Sequence, residues 1–419
     1  MPTDHLQARL EAGDTVTGLF APVGADFQTP GILSWTTERG AQIDLADLSD
    51  AWPHDFAERF TVHGIVHSNG ELVTLIEARV ANLTAIDTAT RIAASTLAIG
   101  EHTDSDETWA FAHYTAPGLH EWLPENGLSM SHPDEDIDQV QVNWSPVAPV
   151  LIPLPDAELS LRLTRGYSWS GPASPDWSIE TSMRFVVKPE RPLTIEEFWR
   201  DYRRPLLGFV IFAADRPEDI SREAFSSPDA KRGITVLRQG RESYKYDWRP
   251  IAGHFLFRAE DIDDVPDAFK KWIALYKKSD PSVALFCETI AQDSYSPPRF
   301  LTLYTAAEGY WRRMRGTQWK VRALADELDE SVSKVDKRAV ALIGGLRNYH
   351  SHLDPTDVEK SLEPDEVAEI APLEFAIHTF DATRRLQVLM QACLLRDIGL
   401  EPERVADLIG QHYRAWPLP

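Results

Sequence analysis

The sequence has only two cysteines, Cys287 and Cys393, in 419 residues. That excludes a disulfide framework and a cysteine-built zinc site. Both lie in apolar, helical surroundings and read as buried free thiols, which fits a reducing cytoplasm. Long hydrophobic runs are missing too. The longest, Pro205 to Ala214, falls well short of the roughly 20 residues a membrane helix needs. Met1 to Thr15 is polar and charged and lacks the apolar core of a signal peptide. Positive charge is scarce, with 42 Lys+Arg against 65 Asp+Glu and a net charge of -23. Such a balance argues against broad, non-specific binding of nucleic acid, while leaving room for a local basic site. No phosphate-cradling loop of the ATPase or dinucleotide type occurs. Gly166-Tyr167-Ser168-Trp169-Ser170 misses a nucleophile elbow by its last glycine. Pro133-Asp134-Glu135-Asp136 lacks the glycine and spaced ligands of a calcium loop and reads as a solvated loop.

What is present divides the chain in two. Hydrophobic residues at 43% and charged residues at 26% are ordinary for a globular protein of two domains. Thr15–Phe20, Gly31–Trp35, Phe60–Val66, Leu72–Val80, Arg91–Ile99 and Thr108–Tyr114 are short runs rich in β-branched and aromatic residues. Gln139–Trp144, Leu159–Arg165 and Ser178–Val187 follow. Leu159, Leu161 and Leu163 alternate with Ser160, Arg162 and Thr164, the period of a half-buried strand. Pro192–Phe212 predicts a helix capped by Thr194 and interrupted at Pro205. Gly233–Gln239 with Tyr244–Asp247 predicts a hairpin, and Phe255–Arg258 a last strand. Residues 1–260 therefore read as one β-rich, sandwich-like domain with a helix attached. From Asp261 the pattern turns helical. A linker helix over 261–280 leads into an all-α bundle over 281–419, giving an α+β chain.

Late in the bundle stands Arg347-Asn348-Tyr349-His350-Ser351-His352. At about 100° per residue, Ala339, Leu342, Leu346, Tyr349, His350 and Leu353 share one apolar stripe with Ile343 at its edge. Asn348 and His352, four apart, lie together on the opposite, polar side, and Arg347 flanks them. Pro355 ends the helix. On periodicity alone Arg347 and His352 also read as a solvated helix end, with His352 near the negative end of the dipole.

Arg347-Asn348 followed by three residues and His352 resembles the signature of HEPN ribonucleases. The N-terminal half resembles the partner domain of ApeA-type anti-phage HEPN proteins, through Pro30-Gly31-Ile32-Leu33, Val73-Thr74-Leu75-Ile76, and Phe185 leading into Leu193-Thr194-Ile195-Glu196-Glu197-Phe198. Together the two cover most of the chain. The resemblance implies a metal-independent endoribonuclease of antiviral, abortive-infection defence. It implies His352 as general acid/base, Arg347 as stabiliser of phosphate and transition state, and Asn348 as positioning residue. It also implies RNA as substrate, tRNA anticodon loops included, a homodimer through the HEPN domain, a phage-derived trigger, no cofactor and no membrane.

The chemistry suits those residue types. Cleavage of RNA by its own 2′-hydroxyl needs a group that moves protons near neutral pH and cationic donors for the phosphorane. Histidine and arginine supply these. Glu308 either orients the motif or is an exposed helical glutamate. His350 falls on the apolar stripe and reads as a packed structural histidine before a catalytic one. Arg312, Arg313, Arg315, Lys320, Arg322, Lys334, Lys337 and Arg338 either steer RNA or pair with Asp326, Glu327, Asp329 and Glu330. Tyr167, Trp169 and Trp177 form an aromatic cluster, read first as packing and second as a stacking loop. His63 and His67 share a strand face without a third metal ligand. The competing reading is a non-catalytic ligand-binding sensor whose helical bundle only dimerises.

Overall fold

The computed structural model describes residues 3–25, 28–45, 52–53, 55–83, 90–123, 127–131, 141–169, 177–229, 231–240, 255–291, 296–316, 320–328, 337–353, 356–360 and 374–414. The chain opens with α1 (Thr3–Glu11), β1 (Val16–Pro22), β2 (Thr29–Thr36), β3 (Gly40–Leu45), β4 (Phe60–Val66) and β5 (Leu72–Leu83). Then come β6 (Thr90–Ala94), β7 (Thr96–Gly100), β8 (Thr108–Trp109), β9 (Phe111–Thr115) and α2 (Pro117–Trp122). β10 (Leu128–Ser131), β11 (Gln141–Trp144), β12 (Val150–Pro153), β13 (Ala157–Trp169), β14 (Trp177–Pro189) and β15 (Leu193–Thr194) follow. α3 (Ile195–Phe198) and α4 (Arg204–Ala214) flank a π-helical turn, Trp199–Arg203, and precede β16 (Arg222–Ser226) and β17 (Gly233–Arg238). The remaining helices are α5 (Val265–Ser279), α6 (Ser282–Ile290), α7 (Pro297–Arg315), α8 (Val321–Glu327), α9 (Lys337–His352), α10 (Thr356–Glu359), α11 (Glu374–Asp397) and α12 (Pro402–Arg414). The class is α+β, as the sequence predicts, with a β-rich N-terminal region and a helical C-terminal one.

Two compact units emerge, and neither is continuous in sequence. One comprises Met1–Pro117, Asn126–Arg200 and Asp219–Trp248. The other comprises Gly118–Glu125, Asp201–Glu218 and Arg249–Pro419.

The β-rich unit is built on a 13-stranded sheet ordered β12-β13-β14-β9-β16-β17-β7-β5-β4-β1-β2-β3-β6, with β6 returning to pair with β5. That return closes β5, β4, β1, β2, β3 and β6 into a barrel, where the alternation alone suggests a sandwich. The device is the length of β5. Its first half pairs with β7, its second half with β6, and Glu77 at the change of partner takes a left-handed φ of 55°. Phe20, Leu33, Ile43, Leu45, Val62, Val73, Leu75, Ile92, Leu97 and Ile99 fill the core, joined by Leu6 and Leu10 of α1. Phe20 occupies so much of it that a Cβ on Gly64 would lie 2.4 Å from its ring. Beyond β7 the sheet runs on without closing, through the long hairpin of β13 and β14, paired from Ala157↔Pro189 to Trp169↔Trp177, to β12 at its edge.

In the helical unit, the apolar run Pro205–Ala214 is α4, buried along almost its whole length. Trp272 of α5 stacks on Phe212 with ring centroids 5.2 Å apart and donates its indole N–H to the Pro205 carbonyl at 2.7 Å. Phe269 packs on Phe209 at 4.0 Å, and Trp122 of α2 meets both edge-on. The stretch treated in the sequence as a linker helix thus supplies core residues. Phe255–Arg258 is not a strand. Its Leu256 N–H donates to the Ala213 carbonyl, and Phe257 packs on Phe209 and Phe212. Its apolar residues satisfy a helical core, not a sheet. Tyr244–Asp247 and the acidic loop at Asp134 lie outside the described residues. Asp215 caps α4 in the left-handed region and accepts hydrogen bonds from Gln387, Gln391 and His412, tying α4 to α11 and α12. Among the described residues no helix is long and apolar enough to cross a membrane.

Candidate active site

α9 carries the Arg-Asn-x3-His residues and packs against α7, α8, α10 and α11. Ile343 and Leu346 are fully buried and fix its rotation. Arg347 and Asn348, one residue on, are half-buried, and His352 is exposed at the last helical position. The Arg347 guanidinium donates to Asn348 Oδ1 at 3.0 Å and lies 5.9 Å from the centre of the Tyr304 ring on α7. This cation–π contact and hydrogen bond hold a long side chain that would otherwise sample many rotamers. Tyr304 has no signal in the sequence. It enters only because α7 and α9 pack together.

The helix stops abruptly. Leu353 takes a φ of 58° and its N–H donates to the Tyr349 carbonyl. It is 77% exposed, where the helical stripe predicts it packed. The 100° period fails because Leu353 lies one residue past the helix, in a conformation that turns the chain away. His350 faces inward instead. Its Nε2 is 2.8 Å from Thr379 Oγ1 on α11, and its ring meets the edge of Phe300 on α7. Burial pushes its pKa down, which favours a neutral imidazole.

The other sequence candidates are dispersed. Glu308 pairs with Arg312 on its own helix at 2.6 Å. Arg313 donates to the Asp280 carbonyl. Arg315 pairs with Asp397 at 3.1 Å, and Tyr310 donates to the same carboxylate. Arg322 pairs with Asp326 at 3.6 Å, and Lys320 is exposed at the start of α8. Lys334 lies outside the described residues, as do the side chains of Lys337 and Arg338 in the first turn of α9. Arg347, Asn348 and His352 share the exposed end of one helix, while Arg312, Arg313 and Arg315 are engaged along another.

In the β-rich unit, His63 stacks on His102 with ring centroids 4.2 Å apart and planes 9° from parallel. Two near-parallel imidazole planes have no common in-plane position for a metal, so this pair is ill-made for chelation. His67 lies beyond the end of β4. Among the described residues no group of three or more His, Cys, Asp or Glu could hold a metal ion. The stacked pair lines an open cavity of about 500 Å³ with Pro22, Val23, Gln28 and Ile65. Tyr167, Trp169 and Trp177 fall within the β13–β14 hairpin and not in a loop.

The model of the ApeA N-terminal domain 1 matches residues 15–272. The chain belongs to the ApeA family. No curated protein and no solved structure matches. The ApeA domain sets the chain in the context of anti-phage defence, in a family associated with defence nucleases. The match ends inside α5, so in this ApeA chain the helix bearing Arg347 and His352 lies beyond it.

Proposed function

We propose that this ApeA protein is a metal-independent HEPN endoribonuclease of abortive-infection defence, acting in the cytoplasm on structured RNA, tRNA included. One observation carries the reading: an exposed His352 shares a helix end with an Asn348 and an Arg347 held in place by Tyr304. In the reaction a base removes the proton of an RNA 2′-hydroxyl, and the 2′-oxygen bonds to the adjacent phosphorus. The P–O5′ bond breaks, and an acid protonates the leaving 5′-oxygen. The products are a 2′,3′-cyclic phosphate and a 5′-hydroxyl. His352 serves as one proton-transfer group, Arg347 neutralises the phosphorane oxygens, and Asn348 positions them.

A single histidine cannot hold both proton positions at once. A second copy of α9 across a homodimer would supply the other, so the exposed helix end is also the dimerising surface. The β-rich unit then serves as sensor and restraint for a phage-derived trigger. The competing reading, a ligand-binding sensor with a bundle that only dimerises, draws its support from the cavity beside His63 and His102. One experiment separates them. The purified chain is incubated with total RNA, with and without EDTA, and fragment ends are mapped. Cyclic-phosphate ends that persist in chelator and vanish in His352→Ala support the nuclease. Intact RNA with every activator tried, or cleavage undiminished in His352→Ala, removes it.

A further inference from the structure

The barrel carries a pair of histidines on its outer face. His63 alternates along β4 with the buried Val62 and Gly64, so it stands on the side away from the Phe20 core. Gly100 ends β7 at a φ of 121°, a conformation that favours glycine, and two residues on His102 lies over His63. The connection is pinned there. Thr103, 2% exposed, donates its N–H at 3.2 Å to Oγ1 of Thr74, the residue paired with His63 across β4 and β5.

The two rings clasp each other. His63 Nε2 donates to the Thr103 carbonyl at 3.3 Å, beside His102. His102 Nε2 donates to the Gly64 carbonyl at 3.1 Å, beside His63. A carbonyl only accepts, so each Nε2 holds a proton and each neutral ring keeps its lone pair on Nδ1. Neither Nδ1 has a hydrogen-bond partner among the described residues, and neither is buried. Burial and the neighbouring His102 ring push the His63 pKa down, which favours the neutral form. Two acids oppose that shift. Asp104 Oδ1 lies 3.7 Å from His63 Nε2 on a half-exposed side chain, while Glu107 is paired with Arg232 at 2.9 Å.

Both rings line the open cavity of about 500 Å³. Ala21, Pro22, Val23 and Ile65 give it apolar walls, Gln28 adds an exposed amide, and no described lysine or arginine lines it. Open acceptors beside a carboxylate, with no cation of their own, call for a donor-rich cation. In-plane lone pairs on parallel rings do not converge on one point, which defeats a metal ion but not a fork of separate N–H donors. A guanidinium is such a fork. It is planar, stays charged at any working pH and stacks on aromatic rings. We propose that the His63–His102 cavity binds a small molecule bearing a guanidinium group. The volume falls in the range that encloses a whole small ligand. The site serves either reading of the helical unit and stands whether or not the chain cuts RNA.

Calorimetric titration of the full chain with agmatine, L-arginine and the uncharged L-citrulline tests this. At least one guanidinium compound is expected to bind near neutral pH. Citrulline should bind at least about tenfold more weakly, the scale of one lost charge-assisted hydrogen bond. Asp104→Asn, at an exposed position, should cost a similar factor with the melting curve preserved. Val23→Trp, also exposed, fills the cavity without touching either histidine and should abolish binding. Acidification to about pH 5 should weaken binding, because a protonated imidazole offers N–H where the ligand needs an acceptor. Ring-nitrogen NMR should show the Nδ1 resonances of His63 and His102 shifting as ligand is added. No heat with either guanidinium compound, citrulline binding as tightly as arginine, binding that strengthens in acid, or binding unchanged in both variants would each overturn the assignment.

Discussion

Replacing Arg347 or His352 by alanine should cut RNA cleavage by about 10²-fold or more, the scale of a lost oxyanion donor or proton-transfer group. Circular dichroism melts should barely move, since Ile343 and Leu346, not these side chains, anchor the helix. His350→Ala should do the reverse. It removes the Thr379 hydrogen bond and a ring packed on Phe300, and should cost about 1–2 kcal/mol of stability. A melt unchanged in His350→Ala with cleavage lost would place His350 in the chemistry. His113 makes a separate prediction. The unfolded chain takes a proton there below pH about 6.5, the folded chain only near 4. Across that window the unfolded state binds more protons, so His113 lowers stability as pH falls, by at most about 3 kcal/mol. Urea melts of His113→Asn should show a flatter acid limb, and an unaltered pH profile would contradict it. Arg184→Gln, which removes a half-buried cation held among other guanidiniums, should raise stability by about 1 kcal/mol in urea melts. At this scale the sequence revealed those residues whose meaning is local. Asn348 and His352 share a face because four residues make about one helical turn. Tyr304 reaches Arg347 only through the packing of α7 against α9, which residue spacing does not contain.

Helix ends and bends decide the elements. Leu353 adopts a left-handed conformation without being glycine and buries nothing in return, being 77% exposed. Leu353→Gly should therefore stabilise the chain by about 1 kcal/mol, measurable by chemical denaturation. A loss of stability would mean that the leucine is covered in the working assembly, as a dimer through the end of α9 would do. Most strands were legible from their alternation, because a barrel with one buried face imposes a period of two. Arg91–Ile99 reads as one run, yet it is broken at Ser95 into β6 and β7, which follow one another along β5 but pair outward with different strands, β3 and β17. Pro192–Phe212 reads as one helix yet contains a π-helical turn ahead of Pro205. Phe255–Arg258 has strand composition and helical-core duty. Short apolar runs satisfy either environment, and only the neighbours choose.

For the whole molecule, the class was legible and the closure was not. Turning a sandwich-like pattern into a barrel takes the long-range pairing of β3 with β6, about 50 residues apart in sequence, and strand periodicity is the same either way. The division into units was hidden too. α4 and Trp122 are embedded in the β-rich half of the sequence but complete the helical core. A fragment of residues 280–419 lacks α4 and α5, with the buried Phe209, Phe212, Phe269 and Trp272. It should be insoluble, or soluble without a near-ultraviolet signal. A cooperative melt of that fragment would show that those aromatics are dispensable. Cleavage of the full chain at a protease site placed between Gln239 and Phe255 should leave a nicked protein that elutes as one species until denatured. Fragments that part in native buffer would show the opposite. The reason lies in how the chain is laid out, crossing between its units at five places in sequence. No single cut can shed one unit whole from the other. Control by shedding an inhibitory unit in one cut is therefore closed to a chain laced in this way.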